Sequence, residues 1–331
     1  MLAQLLVALP FHIAVPEGAQ FTLYTYEDDG YLVTVYPPSR SDQPPPGEVP
    51  DLIRMSNAPA FVANALRIEF RRETFNRTSG HPSDPPEAVL YFAIDSFLTR
   101  LRYATRGTQV HRVSLQDLSW RLRYLNDDGS ELEKRSGLVR GLRHITFTWS
   151  LIGINPTVWE NIHSLSPDFK PPPWDDLRLD AQAALPHVGT AVVLAVACLE
   201  VFISHTLDQL ASNSDVPGDI WKWATHRGYW LKDPTTNEQY DFLIRHFTGH
   251  SLKENPALWE AYKNLKDARN TFVHEGVAKV GGKVVSVPDA VRLVARMNDI
   301  INWVKIQLPT ELRWLEFEPS VQFEFEQAIL E

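Results

Sequence analysis

The hydrophobic pattern of this chain changes once, at the run Pro171-Pro172-Pro173. Before it, short segments alternate between apolar and polar residues, which predicts strands; after it, apolar residues recur at steps of three and four, which predicts helices. With 331 residues, 44% of them hydrophobic, the chain can form two cores. We therefore expect two domains: a β-rich α+β domain over residues 1–154 and an all-α helical bundle over residues 180–308. A Pro-rich linker, residues 155–179, would join them.

Turn signals organise the first half. Residues 20–36 alternate around Glu27-Asp28-Asp29-Gly30, and a similar turn, Asn126-Asp127-Asp128-Gly129, separates two more alternating segments. Both patterns predict β-hairpins. The other expected elements are strands at residues 65–72 and 144–150, and a helix at residues 87–104, where Val89–Ile94 could alternatively form a strand. This half contains no glycine-rich phosphate-binding loop.

The second half predicts three or four helices and a small hairpin insert. Residues 187–212 form a long helix that is nearly all apolar from Val188 to Ile203, which indicates burial. Asp175 or Asp176 is expected to cap the first helix of this half. The remaining elements are a helical stretch at residues 219–250 broken near Pro234, a hairpin at residues 277–287 turning on Gly281-Gly282, and a last helix from Pro288 to about Ile306.

One further helix carries the residues most relevant to function. Asn255-Pro256 is a helix start, with Asn as N-cap and Pro in the first turn. The apolar seam then runs through Leu258, Tyr262, Leu265 and Phe272, and Arg269 occupies a position where that seam requires an apolar residue. A guanidinium there costs desolvation free energy unless an anion meets it. Arg269 is therefore a candidate functional residue.

Two more polar side chains lie near the end of this helix. Asn270 and His274 are four residues apart and share a helix face, while His274 lies about 140° around an ideal helix from Arg269. Gly276 is expected to end the helix, which places His274 in the last turn, where the helix dipole favours imidazolium. Lys263 and Lys266 fall on the same arc as Asn270 and are candidate phosphate contacts.

The pattern Arg269-Asn270-x-x-x-His274-x-Gly276, at the end of a long helix, resembles the HEPN superfamily, whose signature is Arg, four to six residues, then His. The resemblance covers the chain from about Asp180 to about Leu308 and implies a HEPN-like helical bundle. Many members of that family are metal-independent endoribonucleases of toxin, abortive-infection or other anti-phage systems. Their domains pair, so that two copies of the motif line one cleft. No family is recognised for residues 1–154.

The resemblance implies a homodimer through the helical domain and RNA as the substrate, such as tRNA or single-stranded loops. One His274 would deprotonate the 2′-hydroxyl, the other would protonate the leaving 5′-oxygen, and Arg269 would clamp the phosphate. Asn270 would orient Arg269 or a phosphate oxygen. The expected products carry 2′,3′-cyclic phosphate and 5′-hydroxyl ends, and no metal or cofactor is required. Residues 1–154 would act as a sensor, a dock for a regulatory protein or phage trigger, or an oligomerisation surface.

Several alternatives stay open. Arg269 could extend to Asp267 or Glu275 at the surface, and His274 could simply cap the helix. The domain could be a non-catalytic HEPN module for dimerisation or for binding RNA or a nucleotide. Glu200, in the apolar helix, could either contact Arg269 and tune the site or form a structural pair.

Other candidate sites are weaker. The Arg-x4-His spacing recurs at Arg106–His111 and Arg245–His250, but neither has the same helix-end setting. His246 and His250 could bind a metal by spacing, yet no third ligand lies near them, so solvated histidines are favoured. Cys198 lies in an apolar run and is expected to be a buried small side chain.

Charge and targeting features narrow the function further. A net charge of −9 disfavours general binding to long duplexes. No signal peptide and no confident membrane span is evident, so we expect a cytoplasmic protein that does not contact membranes. Residues 309–331 contain one Arg and six Glu. This acidic aromatic tail is expected to be a final strand or amphipathic segment; the alternative is that it imitates RNA near the basic cleft.

Overall fold

The computed structural model describes residues 2–39, 53–55, 58–73, 75, 77–78, 81–82, 84–110, 118–126, 128–137, 151–226, 233–317 and 323–325. It divides into two compact units. Unit 1 contains residues 1–170 and 316–331, and unit 2 contains residues 171–315. The coarse prediction of an N-terminal β-rich region followed by a helical region is confirmed. The predicted strand at residues 144–150 lies outside the described residues.

Unit 1 is built on one large sheet. Its elements are β1 (Leu2–Pro16), β2 (Tyr24–Asp28), β3 (Tyr31–Val35), β4 (Ile53–Met55), β5 (Ala58–Arg71), β6 (Arg77–Thr78), β7 (His81–Pro82), α1 (Glu87–Thr105), β8 (Ser119–Leu125), β9 (Glu131–Gly137), β10 (Leu151–Gly153) and α2 (Pro156–Ser164). Both predicted hairpins form, as β2–β3 and β8–β9. Residues 87–105 form a helix, so the strand alternative is wrong.

The central strand β1 explains why the sheet has one buried face. Alternate residues of β1 are buried from Ala3 to Ile13, as expected of a strand with one side against a core. Antiparallel partners β5 and β8 flank it, β10 pairs with it in parallel, and β3 and β4 pair with β5. Buried side chains of α1 and α2 join the same core.

The predicted linker at residues 155–179 is wrong. Asn155 caps α2 by accepting a hydrogen bond from the Val158 amide at 2.8 Å, and Val158, Trp159 and Ile162 are buried in the core of unit 1. Asn155-Pro156 predicts a helix start in the same way as Asn255-Pro256 does. The high Pro content of residues 155–179 led instead to the prediction of a linker.

Unit 2 is mainly helical. It contains α3 (Pro173–Ala183), α4 (Val188–Ser212), α5 (Gly218–Thr225), α6 (Thr236–Glu238), α7 (Ile244–Thr248), α8 (Pro256–Glu275), β11 (Lys279–Val280), β12 (Lys283–Val284) and α9 (Val287–Gln307), with a π-helical turn at Gln239–Leu243 between α6 and α7. Four elements occur as predicted: the long apolar helix at residues 187–212, the helix that carries Arg269 and His274, the hairpin on Gly281-Gly282 and the last helix. Neither Asp175 nor Asp176 caps α3, because both lie inside its first turn.

Helix α4 is the centre of unit 2 and contacts α3, α8 and α9. By length and composition it is the one helix in the described part of the chain that could cross a membrane. A core helix has the same composition, and the α4 side chains line the main core of this unit. Cys198 is buried there as expected, and its thiol donates to the Trp174 carbonyl at 3.3 Å.

The described residues of the predicted tail, 309–317 and 323–325, divide between the two units. Trp314 packs edge-on against Trp174 and Phe202 in unit 2. Further along, Phe323–Phe325 forms β13, which pairs antiparallel with β4 in unit 1. The interpretation of the tail as a final strand is therefore confirmed for these three residues.

Candidate functional site

Helix α8 begins and ends where local signals require. The Asn255 side chain accepts a hydrogen bond from the Leu258 amide at 3.2 Å, and Pro256 stands in the first turn. At the other end Gly276 adopts a positive φ of 76°, and its amide donates to the Phe272 carbonyl at 2.8 Å. The buried stripe between these ends consists of Leu258, Ala261, Tyr262, Leu265 and Ala268.

Arg269 lies at the edge of that stripe and is only partly buried, because Ala268 takes the core position. Its Nη1 donates to the Asn270 side-chain oxygen at 3.0 Å. This is the contact expected of a residue that orients the guanidinium. No carboxylate of the described residues forms an ion pair with Arg269. Its cationic side chain is therefore held in place without being neutralised.

The two carboxylates proposed as alternative partners for Arg269 are engaged elsewhere. Asp267 accepts a hydrogen bond from the Gly281 amide at 2.9 Å, and Glu275 pairs with Lys279 at 2.6 Å. Both contacts fasten the β11–β12 hairpin to α8. Neither Asp267 nor Glu275 pairs with Arg269 in the structure.

His274 lies in the last turn of α8 and is exposed. Its ring makes no hydrogen bond to any described residue. Asn270 is exposed one turn earlier on the same face. In a single chain, Arg269 and His274 point about 140° apart around the helix, so one copy does not aim both at the same atom.

The two lysines differ in their surroundings. Lys263 is exposed and pairs with Glu260 at 2.5 Å. Lys266 is partly buried, and its Nζ donates to the Asn237 side-chain oxygen at 2.8 Å. Burial lowers the pKa of Lys266, the charge of Arg269 lowers it further, and Glu200 opposes the shift. The charge of Arg269 therefore acts on Lys266.

Glu200 projects from α4 toward the neighbourhood of Lys266. Its charge contributes to raising the pKa of Tyr240 and Tyr262, although burial is the main cause for both phenols. Glu200 forms no ion pair or hydrogen bond with any described residue. Among the described residues, therefore, neither predicted contact occurs: Glu200 pairs neither with Arg269 nor with a structural partner.

Asn237 is a neighbour of the site that the sequence did not reveal. Its side-chain oxygen accepts hydrogen bonds from Lys266 at 2.8 Å and from the Tyr262 hydroxyl at 3.0 Å. The short helix that carries it is fixed by a capping box between Thr235 and Glu238. The Thr-x-x-Glu pattern predicts that cap from the sequence. It does not predict the hydrogen bond between Lys266 and Asn237, which are 29 residues apart.

The end of α8 is held against the rest of unit 2 by two contacts. Thr271 accepts a hydrogen bond from the Lys279 amide at 2.7 Å, which secures the hairpin. Phe272 lies against Gly189 at the start of α4, so closely that a Cβ on Gly189 would fall 2.0 Å from the ring. These contacts fix the turn that carries Asn270 and His274.

The other Arg-x4-His pair of this unit is already in contact with carboxylates. Arg245 contacts Asp241 at 3.3 Å and Glu254 at 3.7 Å, and His250 contacts Glu254 at 3.2 Å. His111 lies outside the described residues. Within the described ranges, no three His, Cys, Asp or Glu side chains cluster closely enough to hold a metal ion.

A surface pocket lies beside α8 on another side. It is lined by residues of α8, the hairpin and α9, including Asn264, Val285 and Leu293, and by none of the candidate site residues. No protein-family model, curated protein or solved structure matches this chain. The resemblance to the HEPN superfamily therefore depends on the motif and the helices around it.

Proposed function

We propose that unit 2 is a HEPN-like, metal-independent endoribonuclease that works as a homodimer. The observation that carries the proposal is the state of Arg269. It is partly buried, oriented by Asn270 at 3.0 Å, and not neutralised by any carboxylate of the described residues. A guanidinium in that setting is ready to take an anion, and a phosphodiester accepts two parallel hydrogen bonds from it.

The reaction requires little beyond these side chains because RNA supplies its own nucleophile. The 2′-oxygen attacks the phosphorus while one His274 takes its proton, and the bond from phosphorus to the 5′-oxygen breaks as the His274 of the second copy gives that oxygen a proton. Arg269 stabilises the negative charge that develops on the phosphoryl oxygens. The products end in a 2′,3′-cyclic phosphate and a 5′-hydroxyl.

Two copies are needed because Arg269 and His274 diverge on one helix. Exposed valines at this end of the unit support a paired surface: Val273 is 56% exposed beside His274, and Val277 is 41% exposed just beyond Gly276. Apolar side chains of this kind favour contact with another protein surface. The dimer would bring the two histidines to one cleft, as the family resemblance implies.

We further propose that unit 1 regulates this activity, as a sensor or as a dock for a regulatory protein. A nuclease of this type fits an anti-phage, abortive-infection or toxin role in the cytoplasm, with tRNA or other single-stranded loops as substrates. Lys266 would assist in binding the RNA backbone, and Lys263 would do so after exchanging Glu260 for a phosphate.

The second candidate function is a non-catalytic module that dimerises or binds RNA. The ion pair of Lys263 with Glu260 and the net charge of −9 favour its dimerisation form, because both reduce attraction to polyanions such as RNA. Growth toxicity separates the two functions. If unit 2 is a nuclease, overexpression of the wild type arrests growth and His274→Ala does not, whereas a binding module gives the same growth with either protein.

A further inference from the structure

Arg100, on α1 of unit 1, is fully buried. Its Nε donates to the Ser96 carbonyl at 3.1 Å, but Nη1 and Nη2 are buried and donate to no described residue. No carboxylate of the described residues forms an ion pair with it. A buried guanidinium without an anionic partner is costly, which makes this the least satisfied charge in the described part of unit 1.

Aromatic side chains surround this guanidinium. The Tyr24 ring centroid lies 4.5 Å from Arg100 Cζ, and the His163 ring stacks on Tyr24 at 4.5 Å with an angle of 16° between the planes. The Tyr24 hydroxyl is near enough to stabilise the charge, yet it accepts no hydrogen bond of normal geometry from Arg100. Cation–π contact with Tyr24 offsets only part of the desolvation cost.

Two more hydrogen-bonding atoms close to Arg100 have no partner among the described residues: the Tyr26 hydroxyl and Nε2 of His163, both buried. The positive charge of Arg100 acts to lower the pKa of both side chains, although burial is the larger cause of each shift. Burial lowers the pKa of His163 to about 4, and Arg100 adds to the shift, so the imidazole is neutral and can donate one N–H. The cluster thus offers several donors and one positive charge.

We infer that Arg100, Tyr26 and His163 bind one oxyanion, the carboxylate or phosphate group of a small molecule. Nη1 and Nη2 of Arg100 form the two-pronged donor that fits such a group, and Nε stays bonded to Ser96. The Tyr26 hydroxyl and Nε2 of His163 supply the remaining hydrogen bonds. This site lies in unit 1 and does not depend on the nuclease proposal for unit 2.

The segment Leu165–Pro167 adjoins the site. The Ser96 hydroxyl donates to the Pro167 carbonyl, and the Tyr24 hydroxyl donates to the Leu165 carbonyl at 3.4 Å, a long and weak bond. Because the Arg100 donors are out of contact with solvent, an oxyanion reaches them when this segment moves outward. Binding would then couple an anion to the conformation of the loop that follows α2.

The test is direct binding to the full chain. Purified protein is dialysed into chloride buffer and titrated by equilibrium dialysis with radiolabelled inorganic phosphate and, separately, with acetate. We expect saturable binding of at least one anion at one site per chain that is separate from any phosphate bound at Arg269, and the two arms show whether a phosphate or a carboxylate is preferred. Tyr26→Phe keeps the aromatic ring and should weaken binding about tenfold. Arg100→Met should abolish binding at this site and leave any phosphate binding at Arg269 unchanged.

Arg292→Met is the matched control, because Arg292 is an exposed α9 residue paired with Asp289 at 2.5 Å. It should bind the anion as the wild type does. The inference is overturned if neither anion binds saturably, or if wild type and Tyr26→Phe bind equally. Circular dichroism establishes that each variant is folded. RNA cleavage is scored separately, so loss of anion binding with intact cleavage, or the reverse, distinguishes this site from the nuclease.

Discussion

Among the described glycines of unit 2, Gly189 is predicted to be the least replaceable, because it allows α4 to approach the end of α8. A Cβ added there would lie 2.0 Å, 2.2 Å and 2.4 Å from three Phe272 ring atoms, well inside van der Waals contact. Gly189→Ala should gain about 1 kcal/mol from helix propensity. The ring must then move, and overpacking of this kind costs about 1–3 kcal/mol.

We therefore expect Gly189→Ala to lower the free energy of unfolding by up to about 2 kcal/mol. The assay is urea unfolding, combined with a double-mutant cycle. In a Phe272→Ala background the clash is gone, so Gly189→Ala should become neutral or stabilise the protein by up to about 1 kcal/mol. Gly218→Ala is the matched control, since an added Cβ at Gly218 meets nothing within 4 Å. A coupling energy near zero between Gly189→Ala and Phe272→Ala would refute the reasoning.

Three further predictions concern single contacts. Asn255→Ala removes the cap of α8 and should destabilise the protein by about 1 kcal/mol, while Asn255→Asp should retain most of the stability; equal losses in urea unfolding would argue against capping. Tyr262→Phe deletes the hydrogen bond to Asn237 and should cost about 1 kcal/mol, and Asn237→Ala should add little in that background if the two side chains act as one unit. The pKa of His163 is about 4 in the folded protein and 6.5 in the unfolded chain, so the free energy of unfolding should fall as the pH drops from 6.5 to 4. His163→Phe should remove about 1 kcal/mol of that loss, after allowing for the partial exposure of the imidazole. A pH dependence that is the same in wild type and variant would contradict the burial argument.

Local signals predicted α8 well because its start, stripe and stop are all encoded nearby. Asn255, Pro256 and Gly276 act on backbone groups within four residues, so no tertiary information was needed. The same logic should have found α2 from Asn155-Pro156. The high Pro content of residues 155–179 was given more weight than Asn155-Pro156, although that pair predicts a helix start as strongly as Asn255-Pro256 does.

The partners of the site residues could not be predicted in the same way. Asp267 and Glu275 are engaged by the β11–β12 hairpin, and only the folded hairpin reveals that they are unavailable to Arg269. Asn237 approaches Lys266 from a different helix. Such contacts depend on how elements pack, whereas helix periodicity reports only which face a residue occupies.

The β13 strand illustrates the same limit at longer range. Its alternation of Phe and Glu predicted a strand, but pairing with β4, far away in sequence, depends on the sheet that is formed by other residues. The unpartnered state of Arg100 is likewise invisible in the sequence, since α1 reads there as an ordinary amphipathic helix.

The central claim is that Arg269 and His274 cleave RNA without a metal. The most direct measurement is incubation of purified full-length protein with total RNA and tRNA in EDTA. The variants Arg269→Ala and His274→Ala are tested beside the matched pair Arg245→Ala and His250→Ala, whose side chains already contact Asp241 and Glu254. We predict cleavage with 2′,3′-cyclic phosphate ends by the wild type and by the Arg245 and His250 variants. No cleavage is expected from the Arg269 and His274 variants. Cleavage that survives both of those substitutions would contradict the account.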